Sequence, residues 1–452
     1  MNKKTLSPGF TLIEIMVAMV IGLILILGIA TIFTNTTNNI RLQRGIANIQ
    51  ETGRLAVDLM SSDIGGAGSQ YCSAINIQLA TDGFTPQRPI RSTVNPLLAV
   101  AGNDDLGTSY NTSATGTTGG LFYGLVTRTD MLAFPPPPVT VPPTTVPPIP
   151  AVGAPYLISA RFLIQGHECV AGVCTPALTA IGAGRTETGA TAATAVAGTV
   201  AGLRVPGTDV LTVRTLVGNG ASIIAGPAIS LAPNSLARLG LDTVPAARLA
   251  NRLVMLADCD KAEIYRGTFA GNLLTLLPPG PVAASFSADN NARVFDMENQ
   301  WLTVTYFLQF VTDPNSAGRL IPALMRRENG RALEEIARGV ERLDFRYAVN
   351  ARTVPGVNPE NNVTWLTANQ VDNASGGAIP CPAFATDTIE TNCLWRSVTA
   401  VEVGMMVNTV DGTSINDDRL TYAMENQREV AAPDRMVHRE FRFVVPIKSW
   451  TR

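Results

Sequence analysis

The sequence predicts an α+β fold. It has one long N-terminal helix, hydrophobic and then amphipathic, packed on antiparallel β-sheet, with an inserted β-rich lobe around residues 75–250. Three observations carry this expectation. Phe10 to Phe33 form an apolar run whose only charge is Glu14. Behind it, apolar residues recur at three-, four- and seven-residue steps, the spacing of a helix with one buried face. From Trp301 onward, runs of alternating apolar residues are separated by turn sequences, as in half-buried strands.

The elements follow in order. Residues 1–9 form a short leader carrying Lys3 and Lys4, charges that hold this end on the cytoplasmic face. Residues 10–33 are long enough to span a bilayer at about 1.5 Å per residue. Gly22 and Gly28 interrupt the run, and membrane helices tolerate both. A carboxylate in such a run costs roughly 2.5–3.5 kcal/mol or more at the bilayer centre, so Glu14 marks a functional position. An ordinary secretory signal would place its apolar region before the cleavage site, and a simple anchor would not need Glu14. Residues 34–66 continue the helix amphipathically, with Ile46, Ile49, Ala56, Met60 and Ile64 inward and Arg41, Arg44, Glu51, Arg54 and Asp58 between them. Gly65-Gly66 stops it.

Residues 67–300 read as a β-rich region with insertions. The Pro-rich segment Phe134 to Pro155 is expected to be extended, a stiff surface loop excluded from sheet interiors. The Ala/Thr/Gly run at 177–202 predicts no fixed structure. Short strands are expected at Val210–Val217, Leu253–Leu256 and Ala262–Tyr265, and Gly218-Asn219-Gly220 is read as a turn. Residues 301–452 predict a C-terminal sheet: Trp301–Val311, a turn at Asp313–Gly318, a return over 320–327, then Val340–Tyr347, Val398–Val407 and Phe441–Val445.

Net charge is −2 with 34 basic and 36 acidic residues, which offers no footprint for nucleic acid. Six cysteines lie beyond the helix: Cys72, Cys169, Cys174, Cys259, Cys381 and Cys393. An even count in an exported domain favours disulfides. The local pairs Cys169–Cys174 and Cys381–Cys393 close most easily, leaving Cys72 with Cys259, but other pairings stay open. With only His167 and His438 and no paired Cys-x-x-Cys, neither a metal nor any other cofactor is expected. His167 is read as a satisfied loop histidine. No Walker loop, His-Glu-x-x-His or Gly-x-Ser-x-Gly is present, so an enzyme is not expected and no catalytic residue is named.

Ser7-Pro8-Gly9-Phe10-Thr11-Leu12-Ile13-Glu14 closely resembles the class III signal of type IV prepilins and type II secretion pseudopilins. The resemblance implies that a membrane peptidase cuts after Gly9 and that the new N-terminal Phe10 is methylated. Further along, Gly339-Val340-Glu341-Arg342-Leu343-Asp344-Phe345-Arg346-Tyr347 is similar to a strand of PilW-type minor pilins and of the J-type pseudopilin. Trp395 to Val403, Asp63-Ile64-Gly65-Gly66-Ala67-Gly68 with Cys72, and the Arg439–Val445 strand also resemble PilW patterns. The length favours PilW over the shorter J-type pseudopilin.

The implied function is a minor pilin in type IV pilus assembly, in an initiation or tip complex. The alternatives are a J-type-like pseudopilin and a pilus-borne surface-binding module. Expected partners are the prepilin peptidase, other minor pilins, the major pilin, a tip adhesin and, before assembly, the inner membrane. The soluble part is expected in the periplasm and later on the pilus. Within an apolar helix bundle, Glu14 pairs with the Phe10 ammonium, its own or a neighbour's. A register slip leaves the carboxylate unpaired, which gives Glu14 a recognition role.

Overall fold

The computed structural model describes residues 11–69, most of 163–350, and 363–373, 393–410 and 436–447, with short pieces elsewhere. Helix α1 runs from Leu12 to Gly65, and its composition of Ile, Leu, Met and Ala supports that length. It ends where expected: the Gly66 amide donates to the Ser62 carbonyl at 3.2 Å, and Gly68 turns the chain at φ 71°. Ile49, Ala56, Met60 and Ile64 are buried as the periodicity predicts, whereas Ile46 is 36% exposed. Two compact units form, Met1–Glu51 with Asn408–Arg439 and Thr52–Val407 with Glu440–Arg452. α1 contributes residues to both.

The strands before Trp301 are β1 (Arg91–Ser92), β2 (Val139–Val141), β3 (Thr144–Val146), β4 (Tyr156–Leu157), β5 (Ile164–Val170) and β6 (Val173–Thr175). They continue with β7 (Val210–Leu216), β8 (Ala221–Ile224), β9 (Ile229–Leu231), β10 (Arg252–Ala257), β11 (Ala262–Ala270), β12 (Leu273–Leu277) and β13 (Arg293–Asp296). Then come β14 (Trp301–Thr312), β15 (Leu320–Glu328), β16 (Leu333–Arg338), β17 (Val340–Asn350) and β18 (Val363–Leu366). The last are β19 (Val398–Asn408), β20 (Arg419–Tyr422), β21 (Arg428–Ala431) and β22 (His438–Pro446). Within the Pro-rich segment, β2 and β3 pair as a short hairpin through residues that are not proline, where a lone extended loop was expected.

Three sheets organise the second unit. The six-stranded sheet has the order β16-β15-β14-β7-β5-β6, and the four-stranded one β18-β17-β19-β22. In β14, Val304 to Gln309 are all buried, so this central strand is covered on both faces rather than on the single face that alternation implied. Asp209 joins these two sheets: its carboxylate accepts from the Cys169 amide at 2.9 Å and the Phe345 amide at 3.1 Å. Burial, then the charge of Asp344, pushes the Asp209 carboxyl well above its usual range.

The eight-stranded sheet, β10-β13-β8-β9-β12-β11-β1-β4, is the inserted lobe. Its core holds Leu239, Leu241, Tyr265, Phe269 and Phe286. β1, β4, β8 and β9 fall within the expected 75–250 and β10–β13 extend the lobe beyond it to Asp296, while β5 and β7, also within those bounds, belong to the six-stranded sheet. Leu216 at the end of β7 is the register partner of Trp301 at the start of β14. The chain therefore leaves and re-enters the main sheet at neighbouring points. Gly218-Asn219-Gly220 makes the exit turn. Gly220 has φ +58°, and a Cβ there would lie 2.7 Å from the Phe295 ring.

Candidate assembly site

The first turn of α1 carries Glu14. Thr11 and Glu14 cap it reciprocally. Glu14 Oε2 accepts from the Thr11 amide at 3.0 Å and the Thr11 hydroxyl at 2.9 Å, while Thr11 Oγ1 accepts from the Glu14 amide at 3.3 Å. The carboxylate thus satisfies the helix's own orphan donors. Thr11 escaped sequence reasoning, although Thr-x-x-Glu before an apolar run is the signature of this cap. Gly9, Phe10, Lys3 and Lys4 lie outside the described residues.

Behind the cap the helix is long and apolar enough to cross a membrane. Its large side chains, from Leu12 through Leu25 to Phe33, are all exposed. Among the described residues, and apart from the helix's own backbone, nothing comes within 4 Å of a Cβ built at Gly22 or Gly28. Thr31, Thr34 and Thr37 each return their hydroxyl to a carbonyl three or four residues back, at 2.8–3.0 Å. Those polar groups are satisfied within the helix.

At the other end, α1 is latched to the six-stranded sheet through Asp63. Asp63 Oδ2 accepts from the Tyr306 hydroxyl at 2.6 Å and from Arg326 Nε at 2.8 Å. Arg326 Nη1 also reaches Glu328 at 3.0 Å and Glu334 at 3.4 Å. The Asp63 and Arg326 side chains are only 11% and 10% exposed, so the pair is largely desolvated and each partner depends on the other. Burial, then the charge and hydrogen bond of Asp63, raises the Tyr306 hydroxyl well above its usual value. For Arg326, burial favours proton loss, but Asp63 more than offsets it and the guanidinium is held more firmly charged. Burial alone pulls Arg214 down to about 9, and its carbonyl accepts from the Gly68 amide at 2.8 Å.

Two further contacts position the helix end. Gly53 faces the Phe441 ring, where a Cβ would come within 2.1 Å. Tyr71 packs its ring 5.5 Å from that of Phe295, with the Arg293 guanidinium 5.3 Å from its centre. Sequence reasoning saw Asp63 as a helix end but not its partners. Tyr306 and Arg326 lie 243 and 263 residues away, and no local pattern connects them.

The two downstream motifs meet in space. Tyr347 on β17 packs edge-on against Trp395, with ring centres 4.9 Å apart, and Trp395 Nε1 donates to Asp372 at 3.1 Å. Both are fully buried, so their role is packing. Cys169 and Cys174 form a disulfide across the β5–β6 hairpin. Cys72, Cys259, Cys381 and the Cys393 side chain lie outside the described residues. His167 sits on β5 rather than in a loop, buried, with Nδ1 donating to the Pro176 carbonyl at 2.7 Å. Among the described residues, no group of three or more His, Cys, Asp or Glu side chains is placed to hold a metal.

A family model of the type IV pilus-assembly protein W matches residues 306–449. A model of the prokaryotic N-terminal methylation motif matches residues 7–30. Together the two matches support a PilW-type, pilin-like protein. They support a type IV pilus-related minor pilin anchored by its N-terminal apolar helix, and the N-terminal motif implies processing by the prepilin peptidase. Comparison with curated proteins and with solved structures returned no match. The PilW match begins at Tyr306, the residue that bonds Asp63, and runs beyond β22. The lobe strands β8–β13 fall outside both matches.

Proposed function

We propose that this PilW-type protein acts in type IV pilus assembly as a member of an initiation or tip complex with other minor pilins. The observation that carries the proposal is the exposed apolar half of α1, which begins at the capped Glu14. An apolar helix of this length needs lipid or other helices around it. In the inner membrane it is an anchor, with the β-rich part in the periplasm. In the fibre it joins a bundle, where Glu14 exchanges the Thr11 donors for the ammonium of a cleaved and methylated Phe10. A wrong axial slip leaves the carboxylate unpaired, so the exchange selects register. Gly9 serves the peptidase by letting backbone approach closely, and Lys3 and Lys4 retain the leader on the cytoplasmic side.

The test is capture of the protein from its native envelope after mild crosslinking, with partners and N-terminal mass read from one sample. Methylated Phe10 together with minor pilins and the major pilin supports the reading. Cleaved protein bound to secretion components overturns it in favour of a J-type-like pseudopilin. Gly9→Val, expected to keep its leader, is the control.

A further inference from the structure

We propose that Arg41 and Arg44 form a basic collar that binds anionic phospholipid headgroups on the leaflet opposite the N-terminus. The collar sets the depth of the unassembled helix in the bilayer. Both side chains are exposed, and neither has a partner among the described residues. Three residues apart on one helix, they share a face. Leu12 to Phe33 rise about 33 Å along α1, close to the roughly 30 Å of a hydrocarbon core. Thr34 to Asn39 are all polar and uncharged, and span about 9 Å, enough to cross a headgroup layer of roughly 5–7.5 Å.

Arg41 follows about 12 Å past Phe33. Helical side chains tilt toward the helix N-terminus, here toward the membrane, and arginine stems extend along such surfaces with the charge reaching polar groups. Arg54 stands about 32 Å past Phe33, far beyond a Debye length of about 8 Å.

The inference rests on the proposed cleavage after Gly9. Cleavage removes Lys3 and Lys4 and leaves these arginines as the basic side chains flanking the mature apolar run. Retention of the membrane helix then passes from the cytoplasmic leaflet to the opposite one. The planar guanidinium fork suits phosphate oxygens. Two such residues near an anionic surface correspond to a preference of up to about 30-fold over zwitterionic lipid, weakened by salt.

The test uses the full chain, coexpressed with prepilin peptidase and reconstituted into phosphatidylcholine vesicles. Spin-labelled phosphatidylglycerol and spin-labelled phosphatidylcholine are compared by their motionally restricted fractions. A salt-sensitive preference for phosphatidylglycerol is expected, abolished in Arg41→Gln/Arg44→Gln and kept in Arg54→Gln. No preference, or an unchanged preference in the double variant, overturns the collar. The N-terminal mass of the same sample separates the two readings. Cleaved protein without lipid preference sinks the collar alone, and an intact leader sinks the processing on which it rests.

Discussion

The helix-bearing sheet and the inserted lobe are held together by different physics. The six-stranded sheet receives α1 through a desolvated ion pair, Asp63 with Arg326, buttressed by Tyr306 and two glutamates. The lobe has an apolar core of its own, and it meets the main sheet at two adjacent strand ends. The polar tie at its base is Arg252, which grips Asp296 through two bonds of 2.8 Å and reaches Glu298 at 2.7 Å. The PilW match covers strands of the first region and leaves the lobe out. A buried ion pair fixes one geometry at little net gain, whereas apolar burial stabilises without directing. The latch therefore specifies where the helix sits, and the lobe is an addition that folds on its own core.

The largest expected effect breaks the lobe alone. Phe269→Ala empties part of its core and should cost about 3–5 kcal/mol. Native-state hydrogen exchange should show β10–β13 losing protection while β14 and β15 keep theirs. Loss of protection in both would mean that the two regions unfold as one.

Arg326→Ala is the reciprocal test. It strands the Asp63 carboxylate against Tyr306 and should cost about 3 kcal/mol, because breaking a buried pair is worse than never having it. Protection should fall in the last turns of α1 and in β15, with the lobe unchanged. An Arg326→Ala protein as stable as wild type would remove the latch from the account.

Acidity sharpens the comparison more gently. Burial raises the Glu298 carboxyl to about 7 from the ordinary 4.5, with Arg252 opposing and Asp296 adding to the rise. The folded lobe thus binds a proton that the unfolded chain has released over that window. Its contribution to stability is fully present below about pH 4.5 and is lost as pH rises through about 7. Melting of wild type and Glu298→Gln across this range should diverge, with the variant less sensitive to pH. Parallel curves would refute the assignment.

The smallest effect lies at the N-terminal cap. Thr11→Val removes one hydroxyl and should weaken the first turn by about 1 kcal/mol. Glu14→Ala should leave leader cleavage intact but reduce copurification with other minor pilins. If Thr11→Val impairs copurification as strongly, the cap itself is part of the recognition.

The long helix, its stop at Gly65-Gly66 and the strands from Trp301 were legible because their signals are local: periodicity, alternation and turn residues within a few positions. The full extent of the lobe is not written locally, because nothing in the strand patterns records that Leu216 pairs with Trp301 or that β10–β13 join the same sheet as β8 and β9. The Asp63 latch was invisible for the same reason, since its partners are recruited from distant strands by folding.

The sequence by itself determined that a membrane-length helix begins in an apolar run whose only charge is Glu14, and that antiparallel strands follow. Only the tertiary structure decided which carboxylate the sheet would hold, where the lobe would be inserted and which strand would be buried on both faces. Apolar periodicity is written along the chain. The pairing of buried charges and strands exists only once distant segments share the same low-dielectric interior.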